Sequence, residues 1–121
     1  MPIRYYCSNG SRVSQAQIDK NYRHARAQKY AGMHPGLCHG CNNAPPQGNA
    51  HIIAQARCKT LHKAELIWDP KGFFPACGSC NQAIENPKGE AWKELKNINY
   101  CLEFIERHDP ELFIKFQLQL G

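Results

Sequence analysis

The chain has 121 residues and a mass of 13.8 kDa, enough for one modest core that buries roughly two-thirds of the unfolded surface. Hydrophobic residues make up 42% and charged residues 21%, which excludes a disordered tail, and no apolar run approaches the roughly 20 residues of a membrane span. The net charge of +5 is uneven: residues 1–63 hold nine Lys and Arg against Asp19 alone, whereas residues 64–121 hold six against nine Asp and Glu. A polyanion, most often nucleic acid, is the partner that such a basic half suggests; a merely solvated basic face is the plainer alternative.

The first residues, Met1-Pro2-Ile3-Arg4, lack the apolar stretch and small-residue cleavage site of a secretory signal, so a cytoplasmic location is expected. Residues 1–13 show no period and read as an irregular lead-in. Ser14 and Gln17 form a capping-box pattern that opens a helix with Ile18, Tyr22 and Ala25 on one face, ending near Gly32. Residues 34–50 are rich in Pro, Gly and Asn and predict a loop. A short strand is expected over 50–54 and a second over 73–76, where Pro75 confines it to an edge; residues 57–71 are ambiguous. A helix is predicted over 81–85. Another follows from about Glu90 with the stripe Trp92, Leu95, Ile98, Leu102 and Ile105, and Asp109-Pro110 caps a last one carrying Leu112, Phe113, Phe116 and Leu120.

Seven cysteines in a reducing compartment require an explanation other than disulfides. Cys38/Cys41 and Cys77/Cys80 are two Cys-x-x-Cys knuckles separated by 35 residues, the donor set of a tetrahedral structural Zn²⁺ site. Gly40 and Gly78 lie inside the two turns and are expected to ease the bend. A thioredoxin-like redox pair is the competing reading of one knuckle, but no βαβ pattern accompanies these two. Cys7, Cys58 and Cys101 read as buried small hydrophobes, and His39 and His62 as substitute ligands that a complete Cys₄ set does not need.

The run Cys38-His39-Gly40-Cys41, then Ala50-His51-Ile52-Ile53, then Phe74-Pro75-Ala76-Cys77-Gly78-Ser79-Cys80-Asn81 resembles the zinc-containing Cys₄ branch of the HNH, or ββα-metal, endonucleases. The flanks are similar to those of small phage and bacterial HNH proteins. The resemblance implies an α+β fold, a small zinc-stapled, treble-clef-like ββα core flanked by N- and C-terminal helices. The resemblance covers the zinc-bound core over 38–86; chain length places the whole chain, 1–121, in one domain, with the basic helix over 14–31 and the C-terminal helices over 90–120 read from capping and periodicity. The resemblance also implies DNA as substrate, His51 as general base, and Asn81 as ligand of a catalytic Mg²⁺ or Mn²⁺. An imidazole that titrates near pH 7 and a cation at the phosphate are what phosphodiester hydrolysis needs.

At two positions the chain departs from the family pattern: Ala50 stands where Asp or His is common, and Gly72 where the middle Asn orients the base. Asn49, His62 and Asp69 lie nearby, and Asp69 is the best replacement donor for a hard cation. Arg57, Lys59, His62 and Lys63, with Arg23, Arg26 and Lys29 on the early helix, are the expected phosphate contacts. Trp68, Trp92 and the phenylalanines are assigned to the core, and the C-terminal helices are a candidate homodimer surface. Three alternatives stand beside the enzyme. One is a catalytically degenerate, zinc-stabilised nucleic-acid-binding module, and another is a zinc-stapled protein-interaction module. In the third, His51 is only a satisfied core histidine and Asn81 only a helix cap.

Overall fold

The computed structural model describes residues 3–31, 36–85 and 94–120. It forms two compact units, Met1–His34 with Ile53–Gly72, and Pro35–Ile52 with Phe73–Gly121.

In the first unit the lead-in is not irregular. Strands β1 (Arg4–Tyr6) and β2 (Arg12–Ser14) pair antiparallel with Tyr5 opposite Val13. Strands of three residues are too short to show a period, so the overlooked signal was the turn. Cys7 N–H donates to Ser11 O at 2.8 Å, the Asn9 side chain accepts from Ser11 N–H, and Gly10 takes a left-handed φ of 89°. Ser14 ends β2 and at once caps α1 (Gln15–Lys29), as the capping box predicts: its Oγ accepts from Gln17 N–H at 3.2 Å while Gln17 Oε1 accepts from Ser14 N–H at 2.8 Å. Ile18 is fully buried and Tyr22 and Ala25 are half-buried, which is the expected face. The helix stops at Lys29 with Tyr30 as its C-cap; Gly32 and Trp92 lie outside the described residues.

The ambiguous stretch becomes α2 (Gln55–Thr60) and two 3₁₀ turns, Ala64–Ile67 and Pro70–Gly72, both packed on α1. Their buried side chains Cys58, Ala64, Leu66 and Ile67 join Ile18 and Ile53 in this unit's core. α2 ends in a Schellman motif, in which Lys63 N–H reaches Cys58 O (3.0 Å), His62 N–H reaches Lys59 O (3.2 Å), and His62 sits at φ 58°. A glycine accepts that conformation without the Cβ penalty. His62→Gly is therefore expected to raise the midpoint of thermal unfolding, by an amount equivalent to about 0.5–1 kcal/mol, despite loss of the ring contact with Tyr6.

In the second unit β3 (Gly48–His51) and β4 (Phe73–Ala76) pair antiparallel, with Asn49 opposite Pro75, Ala50 opposite Phe74 and His51 opposite Phe73. β3 begins and ends earlier than expected, since the chain bends at Ile52 and Ile53. In a two-stranded ribbon both strands are edges, so Pro75 interrupts no central ladder. Helix α3 (Gly78–Glu85) packs on both strands and starts three residues before the predicted 81, which brings Cys80 into its first turn.

The long helix expected from Glu90 is described only as α4 (Ile98–His108). Its buried face is Cys101, Phe104 and Ile105, whereas Ile98 and Leu102 are only half-buried, because the helix turns its Cys101 side inward against α5 (Pro110–Leu120). Asp109 is buried between the two helices and caps α5, its carboxylate accepting from Leu112 N–H at 3.4 Å. Phe116 is buried and Phe113 half-buried, while Ile114 and Leu118 are exposed. None of the described helices is long and apolar enough to cross a membrane.

Candidate metal centre

The first knuckle is a tight loop held by its own backbone. Cys38 N–H donates to Ala44 O at 2.9 Å, Asn42 N–H returns to Cys38 O at 2.8 Å, and Asn42 adopts the left-handed region (φ 54°), which asparagine tolerates better than most residues. His39 N–H donates to Pro75 O at 2.9 Å and fastens this loop to β4. The second knuckle is the junction of strand and helix, with Cys77 after β4 and Cys80 in the first turn of α3. The 38–41 loop thus carries one half of the donor set and the β4–α3 junction the other.

All four sulfurs lie within 4.8 Å of one another, and Cys41 Sγ is 4.0 Å from Cys77 Sγ. Zn–S bonds of about 2.3 Å in a tetrahedron require sulfurs about 3.8 Å apart, so the cluster needs only a slight contraction to hold one Zn²⁺. All seven cysteines are free thiols, and Cys7, Cys58 and Cys101 are buried as expected. Burial raises the Cys38 thiol, but backbone hydrogen bonds at Cys77, Cys41 and Gly40 outweigh it and hold the group down to about 7. Cys80 goes the other way, pushed up by burial and by its Cys38 and Cys77 neighbours. Four crowded thiols cannot all ionise alone; a soft divalent cation offsets their repulsion.

The glycines of the knuckles serve a different purpose from the one expected. Neither has a positive φ. A methyl group at Gly40 would lie 2.8 Å from Cys80 Sγ and 3.1 Å from Leu95 Cδ2, so glycine is required there for close approach to a ligand. At Gly78 it would meet only the flexible Gln47 side chain, at 3.0 Å. Gly40→Ala is accordingly expected to lower thermal stability by the equivalent of about 1–3 kcal/mol and to weaken zinc retention, with Gly78→Ala within about 0.5 kcal/mol of the parent.

Leu95, whose burial the apolar stripe predicts, and Lys96, which nothing in the sequence singles out, close over this loop. Leu95 is buried and Lys96 N–H donates to Gly40 O at 2.7 Å. Nothing local in either segment announces that contact.

No known family, curated protein or solved structure matches the chain.

His51 ends β3 in the same unit as the cysteines, half-buried, with its ring 5.8 Å from that of Phe73 on the paired strand. Strand alternation places Asn49 on the same face as His51 and turns Ala50, fully buried, to the other. Asn81 is the fourth residue of α3, its N–H bonded to Cys77 O at 2.9 Å, so it is not a helix cap. Gly72 closes a 3₁₀ turn and has no side chain to orient anything.

Asp69 belongs to the first unit, where its carboxylate accepts from Lys71 N–H at 3.0 Å. All seven expected phosphate contacts lie in that unit as well. Lys59 donates to Gln15 Oε1 at 2.6 Å and sits 4.5 Å over the Tyr5 ring, and Arg26 lies 5.4 Å over Tyr22. Lys29 donates to Pro70 O; burial lowers its pKa, partly offset by Asp69. Arg23 and His62 are exposed, and Arg57 and Lys63 half-buried. The charge asymmetry sorts by unit: the first carries ten Lys and Arg against three Asp and Glu, a net +7, and the second five against seven, a net −2.

Proposed function

We infer that the chain is a metal-dependent endonuclease of the HNH kind, hydrolysing DNA phosphodiester bonds, with Zn²⁺ in the Cys₄ cluster as a structural staple. The observation that carries this reading is the placement of His51 at the end of a two-stranded hairpin on which α3 packs, with the four-cysteine cluster joining hairpin and helix. His51, held by Phe73, takes the proton from the attacking water. A divalent cation such as Mg²⁺ or Mn²⁺ supplies charge neutralisation at the phosphate and leaving oxygen when bound. Its donors within the second unit are the amide oxygens of Asn81 and of Asn49, which shares the face of His51; Mg²⁺ keeps several waters and needs few protein ligands. The +7 unit supplies the affinity for the backbone.

Incubation of the zinc-loaded protein with supercoiled plasmid tests the reading. Nicking is expected with added Mg²⁺ or Mn²⁺ and none with excess EDTA over a short exposure. A second reading, a catalytically degenerate nucleic-acid-binding module, is favoured by the buried methyl of Ala50 and the bare Gly72, two positions that carry no donor. Plasmid binding without cleavage under any divalent metal replaces the enzyme by that module.

A further inference from the structure

In the first unit α1 and the segment at Trp68–Pro70 border an open groove of about 590 Å³, lined by Asn21, His24, Gln28 and Trp68, and a second of about 510 Å³, also open, shares Asn21 and His24 with it and is lined by Lys20 and Arg23. Trp68 was assigned to the core from its composition alone, but it is half-buried and forms a wall of the groove. Among the described residues, the side chains of Asn21, His24 and Gln28 have no hydrogen-bond partner, and Lys20 and Arg23 have no counter-charge. The other cations of α1 are engaged in the fold: Arg26 lies over Tyr22 and Lys29 is bonded to Pro70 O. An aromatic wall, two uncommitted amides and two unpaired cations therefore line one track on a unit of net charge +7.

We propose that this track binds single-stranded nucleic acid, with one unstacked base against Trp68, the amides of Asn21 and Gln28 on its edge, and Lys20 and Arg23 on the adjoining phosphates. The volume is in the range of pockets that take a ligand of nucleotide size. Amides bond base edges in pairs, whereas a duplex keeps its base faces stacked and out of reach of an indole. A free polyanion satisfies the cations but leaves the indole and amides unused. The proposal rests on the nucleic-acid reading above but not on catalysis.

The test uses full-length, zinc-loaded protein without added Mg²⁺ or Mn²⁺. A Trp92→Phe background makes Trp68 the one tryptophan, and the probe is a 12-nucleotide oligothymidylate. Saturable quenching of Trp68 emission is expected with the oligonucleotide and not with heparin. Asn21→Ala and Gln28→Ala, on the surface of α1, are each expected to weaken binding several-fold. Trp68→Leu is expected to weaken it about ten-fold or more, with partial rescue by Trp68→Phe. Lys20→Ala and Arg23→Ala should each reduce the salt slope by about 0.7. Equal quenching by heparin, tighter binding of duplex without quenching, or unchanged affinity in both amide variants overturns the groove. Because the α1 variants leave the core intact, the result does not depend on the folding of Trp68→Leu. Plasmid cleavage that survives loss of these effects retains the nuclease and removes the track; quenching that survives in a protein unable to cut does the reverse.

Discussion

Replacing Cys38 or Cys80 by Ser is expected to abolish stoichiometric zinc binding and to unfold the second unit. This is the largest effect in the chain. Structural zinc contributes on the order of 10 kcal/mol of apparent binding free energy, more than the whole stability of most small domains. The loop, two-stranded ribbon and helix that carry the knuckles bury only a small core, Ala50, Ile52, Phe73, Phe74, Ala76 and Ile84, and a two-stranded ribbon by itself is marginal in water. Metal content by mass spectrometry, with near-ultraviolet circular dichroism and thermal unfolding, reads the outcome. Cys101→Ser and Cys58→Ala supply the contrast: each removes a buried thiol outside the cluster and should retain one zinc per chain, although with a lower melting temperature. Prolonged exposure to a strong chelator should reproduce the Cys38→Ser spectrum. Acidification should do the same, because the bound ligands are thiolates and protons compete with the metal as pH falls. A parent protein that purifies without zinc and keeps the same spectrum and melting temperature in chelator would remove the metal centre altogether.

His51→Ala is expected to slow plasmid nicking by about 10²–10⁴-fold, the range that a positioned general base contributes. Zinc content and melting temperature should change little. His51 is half-buried at the last position of β3, so its removal leaves no enclosed cavity. Asn81→Ala and Asn49→Ala should act differently, each raising the Mg²⁺ or Mn²⁺ concentration needed for half-maximal cleavage. A His51→Ala variant that cuts as fast as the parent, at equal zinc content, assigns the cleavage to another group or to a contaminating nuclease.

Features written in adjacent residues were legible from the sequence. The Ser14/Gln17 capping box, the Asp109-Pro110 start of α5 and the β4 strand around Pro75 each depend on interactions within one helical turn or one strand, and all are present. The Cys-x-x-Cys pairs belong to the same class, because their spacing presets two sulfurs on one turn; that the pairs converge within 4.8 Å follows only from the pairing of β3 with β4 and the seat of α3. Helix boundaries and buried faces were less legible. The inward face of α4 runs through Cys101, Phe104 and Ile105, which share i, i+3, i+4 spacing with the neighbouring stripe Ile98, Leu102 and Ile105, and the packing of α5 decides between the two.

The sequence by itself thus determined the cysteine donor set, the capped helices and the excess of positive charge, which are properties of composition and of neighbours along the chain. Tertiary structure alone decided that Gly40 must lack a side chain beside Cys80, that Leu95 and Lys96 close over the first knuckle, and that Ala50 turns away from the face shared by Asn49 and His51. It also decided that Trp68 becomes a groove wall. Those features arise where segments distant in sequence meet. The free energy of such a meeting depends on every surface that competes for the same contact, which no local pattern encodes.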